Sequence, residues 1–201
     1  MAASLPSPRD VNNPLRILRA VDARLTEPFE FFLFGRAALV LGFADPPAEA
    51  AATQDVDGII PRELLAGLQA NDRWWTALEA ANEELATEGL YLTHLFDEEQ
   101  IILRANWHAE AVAVPAPDLR FLKLRRPATI DLILTKMMRG LDPDDMADVR
   151  FYLEREPRIG VAELQTAFAS AVGPDVPEIW QLFAAAKPAV LSMAQEVRSQ
   201  P

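Results

Sequence analysis

The apolar positions of this chain change period several times, and each change marks an element boundary. Leu15, Ile17, Leu18, Val21 and Leu25 recur at helical spacing. They predict an amphipathic helix running up to Leu25, with Asn13 as its cap and Pro14 at the first helical position. Pro28 breaks that pattern, and the run Phe29–Phe34 has the length of a buried strand stopped by Gly35. Arg36–Phe43 has the composition of a short helix, and Asp55–Ile60 is a second strand-length apolar run beyond a Pro- and Ala-rich loop. Pro61 opens a helix to Ala70. Asp72 is placed to cap a longer helix, Trp74–Glu88, with Gly89 as its stop. Along it Trp74, Trp75, Leu78, Ala81 and Leu85 form an apolar side that predicts core or partner packing.

Three further strands are expected at Tyr91–Phe96, Ala111–Val114 and Leu119–Leu124, with Ile101–Arg104 a short extended piece between the first two. From Pro127 the pattern is helical. One helix closes at Gly140, one starts at Asp142-Pro143, and Val161 onward reads as helix only, kinked or divided at Pro188. The order implies an α+β fold, a mixed sheet with flanking helices over residues 1–126 followed by a helical bundle over 127–201. Residues 1–9 are expected to be disordered.

Composition narrows the chemistry. The 201 residues contain no cysteine and two histidines, His94 and His108. Disulfides, thiolate sites and a histidine-built metal site are thereby excluded. The N-terminal MAASLPSPRD has no signal-peptide pattern, and no apolar run nears the roughly 20 residues of a membrane span. A cytoplasmic protein without a membrane segment is expected. A net charge of −11 argues against a DNA-coating role. The charge is unevenly placed: residues 45–99 hold 13 acidic and 2 basic side chains. Residues 116–139 hold six basic ones (Arg120, Lys123, Arg125, Arg126, Lys136, Arg139) against two acidic. That excess suits either a phosphate-bearing ligand or a solvated basic face.

Asp55 and Asp57 are the candidate chemistry. In an extended segment, side chains at i and i+2 point to one side, so both carboxylates face one point, as oxygen ligation of a hard divalent cation requires. Upstream, the Gly35 turn opens a helix, where backbone N–H groups can hold a phosphate. A phosphate seat facing a dicarboxylate seat is the minimal equipment for phosphoryl or nucleotidyl transfer. Lys136 and Arg139 share a helix face at i,i+3, as do Asp145 and Asp148. Lys136 sits among Leu and Met residues, where a cation needs a partner, so an ion-pair network joining two helices is the structural alternative.

Phe34-Gly35-Arg36-Ala37-Ala38-Leu39 followed by Thr53-Gln54-Asp55-Val56-Asp57 resembles the first motif of minimal nucleotidyltransferases, closest to AbiEii-like and DUF6036-type proteins. Asp131-Leu132 with Lys136 and Arg139 resembles that family's D-L-x-x-x-K-x-x-R helix, and Asp145–Val149 its D-x-x-D segment. The resemblance spans about Phe31 to Leu153, with the motifs in the family's order. It implies a nucleotidyltransferase-like sheet and transfer of NMP from an NTP, with Mg²⁺ or Mn²⁺, to an acceptor hydroxyl on RNA or protein. Asp55 and Asp57 would hold the metal. Gly35, Arg36, Thr53, Lys136 and Arg139 would bind nucleotide or phosphate, and Asp145 and Asp148 would position Lys136 or activate a nucleophile. A toxin–antitoxin or phage-defence role and a cognate protein partner are implied in the same way. Arg36 stands where the family carries Gly or Ser. A third carboxylate, for which Glu110, Asp118 and Asp131 are candidates, has no assigned place. Those departures define the alternative, a catalytically degenerate protein that binds rather than turns over; a DxD glycosyltransferase is the more distant reading.

Overall fold

β1 (Phe29–Phe34) occupies the middle of the sheet because it is apolar on both faces. Phe31, Phe32 and Leu33 are all buried, each stabilising by about 1.5–3 kcal/mol. β2 (Asp55–Ile60) pairs with it antiparallel, Phe32 opposite Ile59, Leu33 opposite Gly58 and Phe34 opposite Asp57. β6 (Leu122–Arg126) runs parallel along its other side, with Phe29 opposite Leu122. β3 (Tyr91–Asp97) and β5 (Val112–Ala113) complete a mixed five-stranded sheet in the order β3-β2-β1-β6-β5. The structure, a computed structural model, describes residues 12–199; the segment 1–9 lies outside them.

The protein is therefore α+β, a mixed sheet with flanking helices and a C-terminal helix. Its described residues divide into two compact units. One comprises 12–95 and 113–126; the other comprises 96–112 and 127–199. Among the described residues no helix is long and apolar enough to cross a membrane.

The first unit carries the sheet together with α1 (Asn13–Asp22), α2 (Gly35–Gly42), α3 (Arg62–Gln69) and α4 (Asp72–Leu85). Trp74 of α4 is fully buried and stacks on Phe29, ring centroids 3.9 Å apart. Trp75 instead is 39% exposed and donates its indole N–H to the Leu68 carbonyl, so only one of the two tryptophans is core. Asn82 of α4 both donates to the Leu92 carbonyl and accepts from the Leu92 N–H, each at 2.9 Å. A side-chain amide thus satisfies backbone groups that an edge strand would otherwise expose. Gly58 lets the Phe31 ring lie directly against β2, since a Cβ there would stand 2.7 Å from that ring.

One contact spans nearly 100 residues. Asp22, buried at the end of α1, accepts hydrogen bonds from the backbone N–H groups of Arg120 (2.9 Å), Phe121 (2.7 Å) and Leu122 (2.7 Å). It holds the entry of β6 at the position from which it pairs with β1. At the far end of β6, buried Arg126 donates to the Gly42 carbonyl (3.2 Å) and stacks over the Phe43 ring. This fixes the C-terminal end of α2, where a cation also complements the helix dipole.

The second unit contains α5 (Thr129–Lys136), α6 (Pro143–Arg155), α7 (Val161–Ser170) and α8 (Pro177–Ser199), packed on one another. The helix-only expectation after Val161 is corrected here. Ala171–Val172 forms a short strand, β7, antiparallel to β4 (Leu103–Arg104). The apolar run through Ser170 carries no stop until Gly173-Pro174, so a bridge made by tertiary pairing leaves no local signature. α8 continues through Pro188 as one helix. Arg198 near its end donates to the Leu153, Glu156 and Ile159 carbonyls, supplying acceptors at the α6 C-terminus with a donor.

Two caps are shifted by one residue. Asn12, not Asn13, caps α1 by accepting from the Leu15 N–H, and Asn71, not Asp72, caps α4 by accepting from the Trp74 N–H. In each case two capping-competent residues stand side by side and the earlier one takes the role. α1 also ends at Asp22, short of Leu25.

Candidate functional site

The first group of candidate residues belongs to the first unit and is set by the β1–β2 register. Phe34 lies opposite Asp57, so the chain reaches Gly35 and turns into α2 beside the outer end of β2. Gly35 has φ +58°, a conformation in which a side chain is strained, and nothing lies within 4 Å of where a Cβ would stand. Phe34 provides no side-chain cap for α2. Open space at the Gly35 Cβ position and the lack of a Phe34 side-chain cap place a helix N-terminus, the kind of feature that can hold an anion, beside β2. Arg36 is half-buried at the second position of the helix.

Along β2, Val56 is fully buried while Asp55 is exposed and Asp57 half-buried, so the carboxylates share the less covered face. Thr53 Oγ1 donates to Asp55 Oδ1 at 2.8 Å. Thr93 Oγ1 donates to Asp57 Oδ1 at 2.7 Å, the His94 N–H donates to the same oxygen at 3.3 Å, and His94 Nδ1 stands 3.4 Å from it. Every one of these contacts falls on Oδ1. Oδ2 of each aspartate accepts no hydrogen bond among the described residues.

Two carboxylates with unengaged oxygens on one strand face have the donor chemistry for a hard divalent cation. Mg²⁺ characteristically takes one or two carboxylates and completes its shell with water and substrate phosphate. Among the described residues no group of three or more His, Asp or Glu is gathered into a ready-made cage. The candidates for a third carboxylate are committed elsewhere. Asp118 pairs with Arg19 of α1. Asp131, fully buried, takes Arg104 through both oxygens at 3.0 and 2.7 Å, and Glu110 pairs with the same arginine.

The second group belongs to the second unit. Lys136 Nζ lies 3.0 Å from Asp145 Oδ1 and 2.6 Å from Asp148 Oδ2, and all three side chains are at most 10% exposed. Arg139 Nε donates to the other Asp145 oxygen at 2.6 Å, and its guanidinium also reaches Asp142. Asp142 caps α6 by accepting from the N–H groups of Asp144 and Asp145. The structure thus brings Lys136, Arg139, Asp145 and Asp148 together as one ion-pair network joining α5 to α6. Of the other basic residues between 116 and 139, Arg125 pairs with Glu30, and Arg126 is engaged at Gly42 and Phe43.

Burial by itself raises the Asp145 carboxyl, but the Arg139 hydrogen bond and the Lys136 charge outweigh it and hold the group below its ordinary value. A carboxylate depressed in the folded state contributes stability above its unfolded pKa and loses it as pH falls through the folded value. The urea midpoint of the wild type should therefore drop on acidification below about pH 4. In Asp145→Asn this component of the acid dependence should be missing, so its profile is flatter though its stability at neutral pH is lower. Parallel profiles for the two proteins would contradict the assignment.

Thr93 is the candidate-site residue that sequence reasoning missed. The available signal was a threonine on the exposed face of a strand in an otherwise apolar segment, which becomes informative only once β3 is known to flank β2. Comparison with protein-family models, with curated proteins and with solved structures gives no match to this chain.

Proposed function

We propose that this chain is a nucleotidyltransferase-like protein that binds a metal–NTP complex at the Gly35 turn and the Asp55–Asp57 face, and passes NMP to an acceptor hydroxyl on RNA or protein. One observation carries the reading: the register that sets Phe34 opposite Asp57 also sets the start of α2, open at the Gly35 Cβ position and without a side-chain cap from Phe34, beside the Asp55–Asp57 face. Asp55 and Asp57 would hold Mg²⁺ or Mn²⁺ through Oδ2, and the amides following Phe34 would hold phosphate oxygens. When bound, the metal offsets phosphate charge and favours departure of pyrophosphate. The acceptor oxygen forms its bond to the α-phosphorus as the bond to the pyrophosphate oxygen breaks. The hydroxyl proton passes to a carboxylate of the pair or to water. In this reading the Lys136 network serves the fold of the second unit.

A second reading, a degenerate nucleotide-binding protein, is favoured by one specific observation. Lys136, the cation the resemblance assigns to the nucleotide, is buried against Asp145 and Asp148.

The test incubates the protein with each labelled NTP, Mg²⁺ or Mn²⁺, and total RNA or cell protein, beside Asp57→Ala. Label transfer by the wild type and none by the variant is expected. Binding of NTP without transfer would select the second reading. Equal transfer by both proteins, or no NTP binding at millimolar metal, would sink the assignment of this site.

A further inference from the structure

The geometry points to Thr93 as a positioning residue that orients the Asp57 carboxylate for cation binding, an inference that rests on the reading of Asp55 and Asp57 as a cation seat. Thr93 stands on β3, beside β2, and its hydroxyl donates to Asp57 Oδ1 at 2.7 Å. The backbone N–H of His94 donates to that oxygen at 3.3 Å, and the His94 ring nitrogen Nδ1 lies 3.4 Å away. Two consecutive residues of one strand thus converge on a single oxygen of the carboxylate. Thr53 treats Asp55 alike, through Oδ1 at 2.8 Å.

A carboxylate on a strand turns broadly about its terminal torsion. Unheld, it must give up that freedom when it takes an ion, and binding is weaker by that cost. Holding Oδ1 in advance removes the cost and fixes which oxygen faces the cation. Threonine suits the task because branching at Cβ restricts χ1 and fits a strand, so its hydroxyl is aimed before anything binds. This is the role that partners of metal ligands play generally: they orient the ligand, and their loss weakens metal binding about 10–100-fold. Thr93 contacts Asp57 and is not itself placed against substrate.

The test titrates Mn²⁺ alone into the full chain, following free Mn²⁺ by electron paramagnetic resonance, for wild type, Thr93→Val, Thr93→Ser and Asp57→Ala. Thermal unfolding is recorded for each. Valine keeps the branched shape without the donor and serine keeps the donor. Thr93→Val is expected to weaken Mn²⁺ binding about tenfold at an unchanged unfolding temperature, and Thr93→Ser, which keeps the donor without the branched Cβ, to recover most of that affinity. A merely structural threonine would move the unfolding temperature and leave affinity alone. Wild-type affinity in Thr93→Val, while Asp57→Ala has lost binding, would overturn the role of Thr93 and leave the cation seat standing. The same holds if serine fails to rescue. Wild-type binding no tighter than that of Asp57→Ala would remove the cation seat and the Thr93 inference together.

Discussion

Replacing Lys136 by alanine is expected to cost about 3–5 kcal/mol of stability, the range found when one partner of a buried ion pair is removed. The reason lies in what stays behind. Asp145 and Asp148 are 5% and 7% exposed, and the ammonium lies within 3.0 Å of both. Without it Asp148 loses this ion pair, and Asp145 keeps its pair with Arg139, whose side chain is 64% exposed. Lys136→Met should also be costly, because restoring volume does not neutralise the carboxylates. Lys136→Met combined with Asp148→Leu should recover much of the loss, since apolar replacement of a whole buried pair is often neutral. Urea unfolding of the singles and the double closes a thermodynamic cycle. A Lys136→Ala protein within about 1 kcal/mol of wild type would show that the network contributes little and would return Lys136 to the list of nucleotide ligands.

Asp22→Ala should be comparably damaging, by about 3–5 kcal/mol, through a different route. It leaves the N–H groups of Arg120, Phe121 and Leu122 without their acceptor, the last at a buried position and the other two part-buried. Each unsatisfied buried donor costs about 1–3 kcal/mol, and water entering the site recovers part of the sum. The effect should be readable residue by residue. Amide hydrogen exchange at 120–122 should be slow in the wild type and fast in the variant, and exchange at Phe121 and Leu122 should rise more than exchange deep in α4. Unchanged protection at these three amides would show that the clamp does not hold the entry of β6.

Asp22 also illustrates what the sequence could have told. Leu18, Val21, Asp22 and Leu25 make one helical stripe, so an acid stood on the apolar face, near a helix C-terminus where negative charge is unfavourable. That local inconsistency signals a buried partner. The partner's identity, backbone almost 100 residues away, depends on β1–β6 pairing and is invisible locally. β1 was legible because a buried strand with apolar residues on both faces and breakers at Pro28 and Gly35 leaves few alternatives, and β2 because its strand-length apolar run ends at Pro61. β7 was not, because its two residues take their structure from Leu103–Arg104. The same division runs through the site. Asp55, Asp57 and the Gly35 turn follow from spacing and residue type, and the Lys136–Asp145–Asp148 network was foreseeable from i,i+3 geometry on adjoining helices. Whether Oδ1 or Oδ2 of Asp57 is engaged depends on Thr93, and that depends on a strand alignment no local pattern encodes.

The central claim is that the open N-terminus of α2 and the Asp55–Asp57 face together bind a metal–nucleotide complex. Calorimetric titration of an NTP into the full-length protein at millimolar Mg²⁺, for wild type and Asp57→Ala side by side, measures this directly. The account predicts saturable heat for the wild type, lost in the variant and lost when EDTA replaces the metal. Absence of binding by the wild type, or equal binding by both proteins, would contradict it.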